Sequence, residues 1–393
     1  MRLHSLSSAD QSKMAKWARS DYLIKAEQAG VATQVAEQAF EQARKVQEAG
    51  LPSVLSLKHL AKQTGCSYQS LRTLAERLIR SPYRTFRVRK RAGGYRQICV
   101  AKPDLARVQK WIDARILSFL PKHPSAMAYS KGASIVECAS EHAGCKWLIK
   151  CDVQQFFESI SEIQVYRVFA ELGYQPLVAF QMARICTRVV SSRKRYRLKR
   201  WQATDRNYAI LQAGRIGHLP QGAATSPKLS NLVLFNFDLK VQQLAKDSGL
   251  TYTRYADDLT FSAFKDFSRE RASTFIGLVY NEMRAIGLRP HPTKTRVVPP
   301  RARKVVLGLC VNDTCPRLTR EFKSELKTNI HYICRYSLKR QADHKEFDSI
   351  IGFRNHIEGK LRFAYQVEPE FVGKMEAKLA NCSDWQTKDD GNC

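Results

Sequence analysis

Three acidic residues offer chemistry before anything else in the chain does. Asp152 stands near the end of Trp147-Leu-Ile-Lys-Cys-Asp-Val153, and Asp257 and Asp258 lie inside Thr251-Tyr-Thr-Arg-Tyr-Ala-Asp-Asp-Leu-Thr-Phe-Ser262. The first stretch reads as a buried strand and the second as strand, tight turn, strand. That reading puts one acid at a strand end and an acid pair at a hairpin tip. Phosphoryl transfer needs two hard cations about 3.5–4 Å apart, bridging the attacking hydroxyl and the leaving phosphate. Magnesium takes oxygen ligands and keeps part of its water, so two or three carboxylates on rigid strands suffice. Taken alone, Tyr-Ala-Asp-Asp fits a polar turn as well.

The elements that must hold these acids follow from periodicity. Alanine, glutamine and glutamate make residues 1–50 helical, with Gly30 and Gly50 as stops. A helix pair after Pro52 carries Leu57, Leu60, Leu71, Leu74 and Leu78 on its apolar face. Phe86-Arg-Val-Arg-Lys-Arg-Ala-Gly-Gly-Tyr-Arg-Gln-Ile-Cys-Val100 has the pattern of a basic hairpin turning at Ala92-Gly93-Gly94. Asp104 is placed to cap the next helix, and Ser134 opens a short one containing Ala139 and His142. Ser226-Pro227 starts a core helix running to about Lys246, and Ser268 to Ile286 forms another, stopped by Gly287. Short strands near 294–298 and 304–311 precede a helical, basic remainder.

Composition narrows the function. In 393 residues, Lys and Arg outnumber Asp and Glu by 65 to 36, a formal charge of +29. So large an excess favours a polyanionic partner, and nucleic acid is the commonest in a cytosol. Hydrophobic residues at 44% and charged ones at 26% describe a globular chain. No apolar run is long enough to span a membrane, and the first residues lack the apolar core of a secretory signal, so the expectation is a cytoplasmic protein without membrane association. The eleven cysteines form no CxxC pair; free thiols and no structural zinc are expected.

Several strings together resemble the reverse transcriptase family, and they occur in that family's order. Gly93-Gly-Tyr-Arg-Gln-Ile-Cys-Val-Ala-Lys-Pro-Asp-Leu105 is similar to the fingers motif, and Lys150-Cys-Asp-Val-Gln-Gln-Phe-Phe-Glu-Ser-Ile160 to the palm motif with the first catalytic aspartate. His218-Leu-Pro-Gln-Gly-Ala-Ala-Thr-Ser-Pro227 resembles the loop beneath the nucleotide, Tyr252 to Ser262 the catalytic hairpin, and Lys304 to Asn312 the primer-grip region. The likeness spans about residues 80 to 365. It implies an α/β (α+β) right-hand polymerase. Its parts would be an N-terminal helical region (1–80), fingers (81–150), a palm (151–311, with a basic insertion near 187–215) and a helical thumb with tail (312–393).

The resemblance implies two Mg2+ ions on Asp152, Asp257 and Asp258. Arg89, Lys90 and Arg96 would neutralise the triphosphate of an incoming deoxynucleotide. Gln221, between Pro220 and Gly222, would approach its sugar or base, and the ring of Phe157 would exclude a 2′-hydroxyl. Within the family the nearest likeness is to retron enzymes, which carry Asn-Ala-x-x-His where this chain has Cys138-Ala-Ser-Glu-His142. Such enzymes copy part of a structured noncoding RNA into single-stranded DNA that stays joined to it. They usually work with an effector protein in bacterial defence against phage. His142 is expected to contact that RNA. So is the cluster Arg193, Arg195, Arg197 and Arg200, interleaved with Tyr196 and Trp201. A third set is the helical stripe Arg320, Lys323, Lys327, His331, Arg335 and Lys339, opposite Phe322, Leu326, Ile330 and Ile333, with Lys323, Lys327 and Arg335 as the chosen contacts. Competing readings are a non-retron defence enzyme, a group II intron relative, and an RNA-binding scaffold or antitoxin that restrains an effector.

Overall fold

A computed structural model describes residues 19–78, 82–89, 93–130, 132–189 and 216–386. The described residues begin with α1 (Arg19–Gln28) and α2 (Thr33–Glu48), each followed by a glycine at positive φ, Gly30 and Gly50. Ser56 and Ser67 then cap α3 (Leu57–Thr64) and α4 (Tyr68–Ala75). Leu57, Leu60, Leu71 and Leu74 are buried as expected, whereas Leu78 lies past the helix and is 68% exposed. Strands β1 (Tyr83–Arg89) and β2 (Tyr95–Ala101) pair antiparallel from Tyr83↔Ala101 to Arg89↔Tyr95. Helix α5 (Pro103–Arg115) begins on its proline, and Asp104 instead accepts a hydrogen bond from Ser70 Oγ at 2.6 Å. Ser134 caps α6 (Ile135–Ser140).

The centre is β3 (Trp147–Gln154), followed by α7 (Phe156–Ser159), α8 (Glu162–Glu171) and α9 (Pro176–Cys186). The helix expected from Ser226 divides at buried Leu234 into α10 (Ser226–Val233) and α11 (Phe235–Asp247). The catalytic-type hairpin is β4 (Thr251–Tyr255) and β5 (Asp258–Ala263), and α12 (Arg269–Ala285) follows, capped by Ser268. Strands β6 (Arg289–Pro290) and β7 (Arg296–Val298) both pair with β3, completing an antiparallel sheet ordered β4-β5-β3-β6 with β7 also on β3. Three short strands, β8 (Val305–Val306), β9 (Leu309–Cys310) and β10 (Arg317–Leu318), lead into α13 (Arg320–Arg335), α14 (Leu338–His344), α15 (Ile350–Tyr365), α16 (Pro369–Ala380) and α17 (Ser383–Gln386).

Strand alternation gives the sheet two unlike faces. Ile149, Cys151 and Val153 join Leu259 and Phe261 in a core that also buries Leu60 and Leu71 of the N-terminal helices and Phe169 and Val178 of the palm helices. Leu148, of opposite parity, belongs to a second core with Val306, Leu309, Leu326, Ile330, Phe353 and Ile357. This second core takes in Leu148 from β3, while Asp152, at the other end of the face, is buried outside it. Palm, fingers hairpin and helical thumb therefore stand in the order expected of a right-hand polymerase.

The cysteines depart from expectation at one place. Cys66, Cys99, Cys138, Cys145, Cys151 and Cys186 are free and buried, but Cys334 and Cys382 form a disulfide. Packing of α13 against the C-terminal helices brings their Cα atoms to 5.2 Å across 48 residues of sequence, which spacing alone does not disclose. Among the described residues, no helix is long and apolar enough to cross a membrane.

Candidate active site

Register brings the acids together. Asp152 on β3 is the direct partner of Asp258 on β5, and Tyr255 pairs with Asp258, leaving Ala256 and Asp257 as a two-residue turn. Ala256 adopts φ 60°, a conformation that favours glycine and has to be held by its surroundings. Val153 N donates to Asp257 O at 3.1 Å, and Arg254 Nη1 donates to Ala256 O at 3.2 Å. Arg254 is itself fixed: its guanidinium grips Asp238 of α11 at 2.8 and 2.6 Å, fully out of solvent, with Tyr252 Oη on the same carboxylate at 2.8 Å.

The site is short of positive charge. Burial raises the pKa of Asp257, and Asp258 and Asp152 add repulsion. Burial likewise raises Asp258, against the pull of Lys150, with Asp152 repelling. Among the described residues, one cation answers this within bonding distance. Lys294 Nζ lies 3.1 and 2.9 Å from the two oxygens of Asp152, in a turn where His291 N donates to Asp152 O at 2.8 Å. Sequence reasoning missed Lys294, because 142 residues separate it from Asp152 and a lone lysine carries no pattern.

A divalent cation fits this donor set. The donors are hard oxygens, two of them with raised proton affinity, and an ammonium already stands on the third. Among the described residues no three His, Cys, Asp or Glu side chains converge at ligand distance. Magnesium commonly takes one or two carboxylates and fills its shell with water and substrate phosphate.

The residues expected to meet a nucleotide come from four segments. Phe156 belongs to the core, while Phe157 is half-buried and meets Tyr129 with ring centroids 6.1 Å apart. Tyr129, also missed in the sequence, sits at φ 67°, and its hydroxyl is pushed up to about 12 by burial and then by Asp257. Arg89 and Arg96 are exposed near the tip of the β1–β2 hairpin, and Lys90 lies outside the described residues. Gln221 O accepts from Cys99 N at 2.8 Å, which ties the Pro-Gln-Gly loop to the hairpin. Gly222 is at φ 104°, where an added Cβ would lie 3.0 Å from Cys99 O, so the close approach requires glycine.

The expected RNA contacts fare differently. His142 is a correction: it is 0% exposed, with Nδ1 2.7 Å from Ser262 Oγ and Nε2 2.7 Å from Thr253 Oγ1. Burial, with Lys150 assisting, pushes its pKa down to about 4, so a neutral ring staples β4 to β5 and offers RNA no surface. Arg193, Arg195, Arg197 and Arg200 lie outside the described residues. On α13, Lys327 and Arg335 are exposed, but Lys323 pairs with Glu368 at 2.6 Å, and Lys339 belongs to the next helix.

An antiparallel palm with acids at the register pair Asp152↔Asp258, a basic hairpin before it and a helical thumb after it define a right-hand nucleic-acid polymerase. Residues 88–310 match the family model described as reverse transcriptase (RNA-dependent DNA polymerase). Retron Ec86 reverse transcriptase of Escherichia coli is 29% identical over 338 residues, covering 84% of this chain and 92% of that protein. Retron Mx65 reverse transcriptase of Myxococcus xanthus is 31% identical over 336 residues, covering 83% and 71%. A solved foamy viral protease-reverse transcriptase in complex with double-stranded DNA aligns with 76% of this chain at 14% identity and TM-score 0.40; the chain spans 38% of that polypeptide. The chain belongs to the reverse transcriptase family and is of the bacterial retron type. It is an RNA-directed DNA polymerase.

Proposed function

We propose that this polymerase copies part of a structured noncoding RNA into single-stranded DNA that stays joined to the RNA, in the cytoplasm of a bacterium. On this reading Asp152, Asp257 and Asp258 hold two Mg2+ ions, and an effector protein completes a system of defence against phage. The observation that carries the catalytic part is the Asp152↔Asp258 register with Asp257 in the adjoining strained turn.

When bound, the ions would acidify the attacking hydroxyl and offset the charge that develops on the phosphates. The chain's own residues do the positioning. Asp152 and Asp258 are fixed by the pairing of two central strands, and Asp257 by the turn that Arg254 and Val153 hold. Arg89 and Arg96 bring positive charge to the triphosphate. Phe157 presents a ring where a ribose 2′-hydroxyl would lie, and Gln221 sits in the loop that joins palm and hairpin.

Two measurements test the reading. Asp257→Ala should lower primer extension by at least about 100-fold while RNA binding stays near wild type. A wild-type extension rate in that variant would overturn the assignment. For the retron part, nucleic acid that co-purifies with the chain should contain RNA joined to single-stranded DNA through a 2′–5′ linkage. DNA with no such joint removes that part and leaves the polymerase standing.

A further inference from the structure

We infer that Lys150 and Arg296 form a binding site for the last internucleotide phosphate of the primer strand. The inference deepens the polymerase reading and rests on it.

Register places the two cations. Lys150 on β3 is the direct partner of Arg296 on β7 and of Thr260 on β5. Parity then gives their face. Leu148 and Val298, two residues away on the same strands, pack in the second core, whereas Ile149 and Val297 pack in the first. Lys150 and Arg296 share the parity of Leu148 and Val298, hence the face on which Asp152 and Asp258 stand. On this face the second core closes one end and the acids occupy the other, so the two cations fill the strip between them.

Their state is unusual for cations beside buried acids. Lys150 is half-buried and Arg296 exposed. Neither makes a hydrogen bond or ion pair with any described residue, although Lys294 has taken Asp152. Two cations on one strip, neither held in an ion pair or hydrogen bond among the described residues although Lys150 acts on Asp258 from farther off, present a ready anion site. The attacking 3′-hydroxyl has to reach the acids, so the strand that bears it crosses this face. Two residues along β3 span about 6.6 Å, the scale of one nucleotide step. Lys150 thus lies where the first phosphate behind the 3′ end would pass, with arginine across from it able to grip two phosphate oxygens. The alternative is that Lys150 serves only as a distant counter-charge to Asp258 and that Arg296 is solvated.

The test uses the full chain, without divalent metal, and a labelled DNA primer annealed to an RNA template. A methylphosphonate, which removes the charge of one linkage, is placed either at the primer's terminal linkage or several linkages upstream. Terminal neutralisation should weaken wild-type binding about three- to tenfold, the effect of losing charge-assisted contacts at a partly exposed site. The Lys150→Met/Arg296→Met double variant should bind the ordinary hybrid more weakly by a similar factor. It should then ignore the terminal methylphosphonate while still responding to the upstream one, and Lys150→Arg should restore sensitivity. A wild-type chain indifferent to the terminal methylphosphonate overturns the inference, whatever the variants do. So does a double variant that keeps full wild-type sensitivity. A wild-type chain that does not bind the ordinary hybrid, and does not extend it once magnesium and deoxynucleotides are added, removes the polymerase reading as well.

Discussion

Phe157 meets Tyr129 beside Asp257, and on the proposed reading this pair of rings, rather than one ring alone, would border the sugar of an incoming nucleotide. The sequence singles out Phe157 because it follows Asp152 at a fixed distance within one motif. It does not single out Tyr129, since the place of that ring depends on a positive φ and on a fold that returns it to the catalytic turn. On that reading, replacing Phe157 by valine would open space under C2′ while Tyr129 remains. The variant should lose about 10- to 100-fold of its discrimination against ribonucleotides, within the range that pocket-filling groups usually supply. Comparing kcat/KM for matched deoxy- and ribonucleotides measures it. Unchanged discrimination in a folded variant would transfer the role to Tyr129.

At the scale of elements, the β4–β5 hairpin is held from both faces. His142 staples it on the catalytic face, and the Arg254–Asp238 pair anchors it on the other, against α11. The alternation of Tyr252 to Ser262 announced the hairpin, but not these anchors. A buried arginine inside a strand is indistinguishable in sequence from a solvated one, and His142 could be read as an RNA contact because its motif says nothing of burial. Arg254→Met would leave the Asp238 carboxylate in the core with Tyr252 as its remaining partner among those described here. That change should cost roughly 3–5 kcal/mol of stability in a denaturation experiment. Replacing both residues, as in Arg254→Met/Asp238→Leu, should recover much of the loss, because no buried charge remains. If Arg254→Met unfolds at the wild-type midpoint, the anchor contributes nothing and Ala256 is held by other contacts.

Across the whole molecule, local pattern disclosed the elements and their order, while packing decided which charges remain available. The expected stripe on α13 shows the difference. Its apolar side, Leu326, Ile330 and Ile333, is buried as periodicity required. Of its cations, Lys323 is spent on Glu368, whose other oxygen accepts from Leu318 N at 2.9 Å, a pairing across 45 residues that no helical wheel contains. Lys327 and Arg335 stay exposed, lying over Phe371 and Tyr336 at 5.8 and 5.6 Å. With a formal charge of +29, the chain should bind RNA largely through counterion release. Lys327→Glu with Arg335→Glu should therefore weaken RNA binding and flatten its salt dependence by about two units of slope, one for each contact, with little change in melting temperature. Lys323→Glu should do the reverse. It sets two carboxylates against each other where an ion pair stood, so the thumb should melt earlier while the salt slope holds. Titrating labelled noncoding RNA at several salt concentrations, alongside thermal melts, separates the two. Should the Lys327/Arg335 variant keep the wild-type slope, RNA does not run along this helix, and its exposed charge is merely solvated.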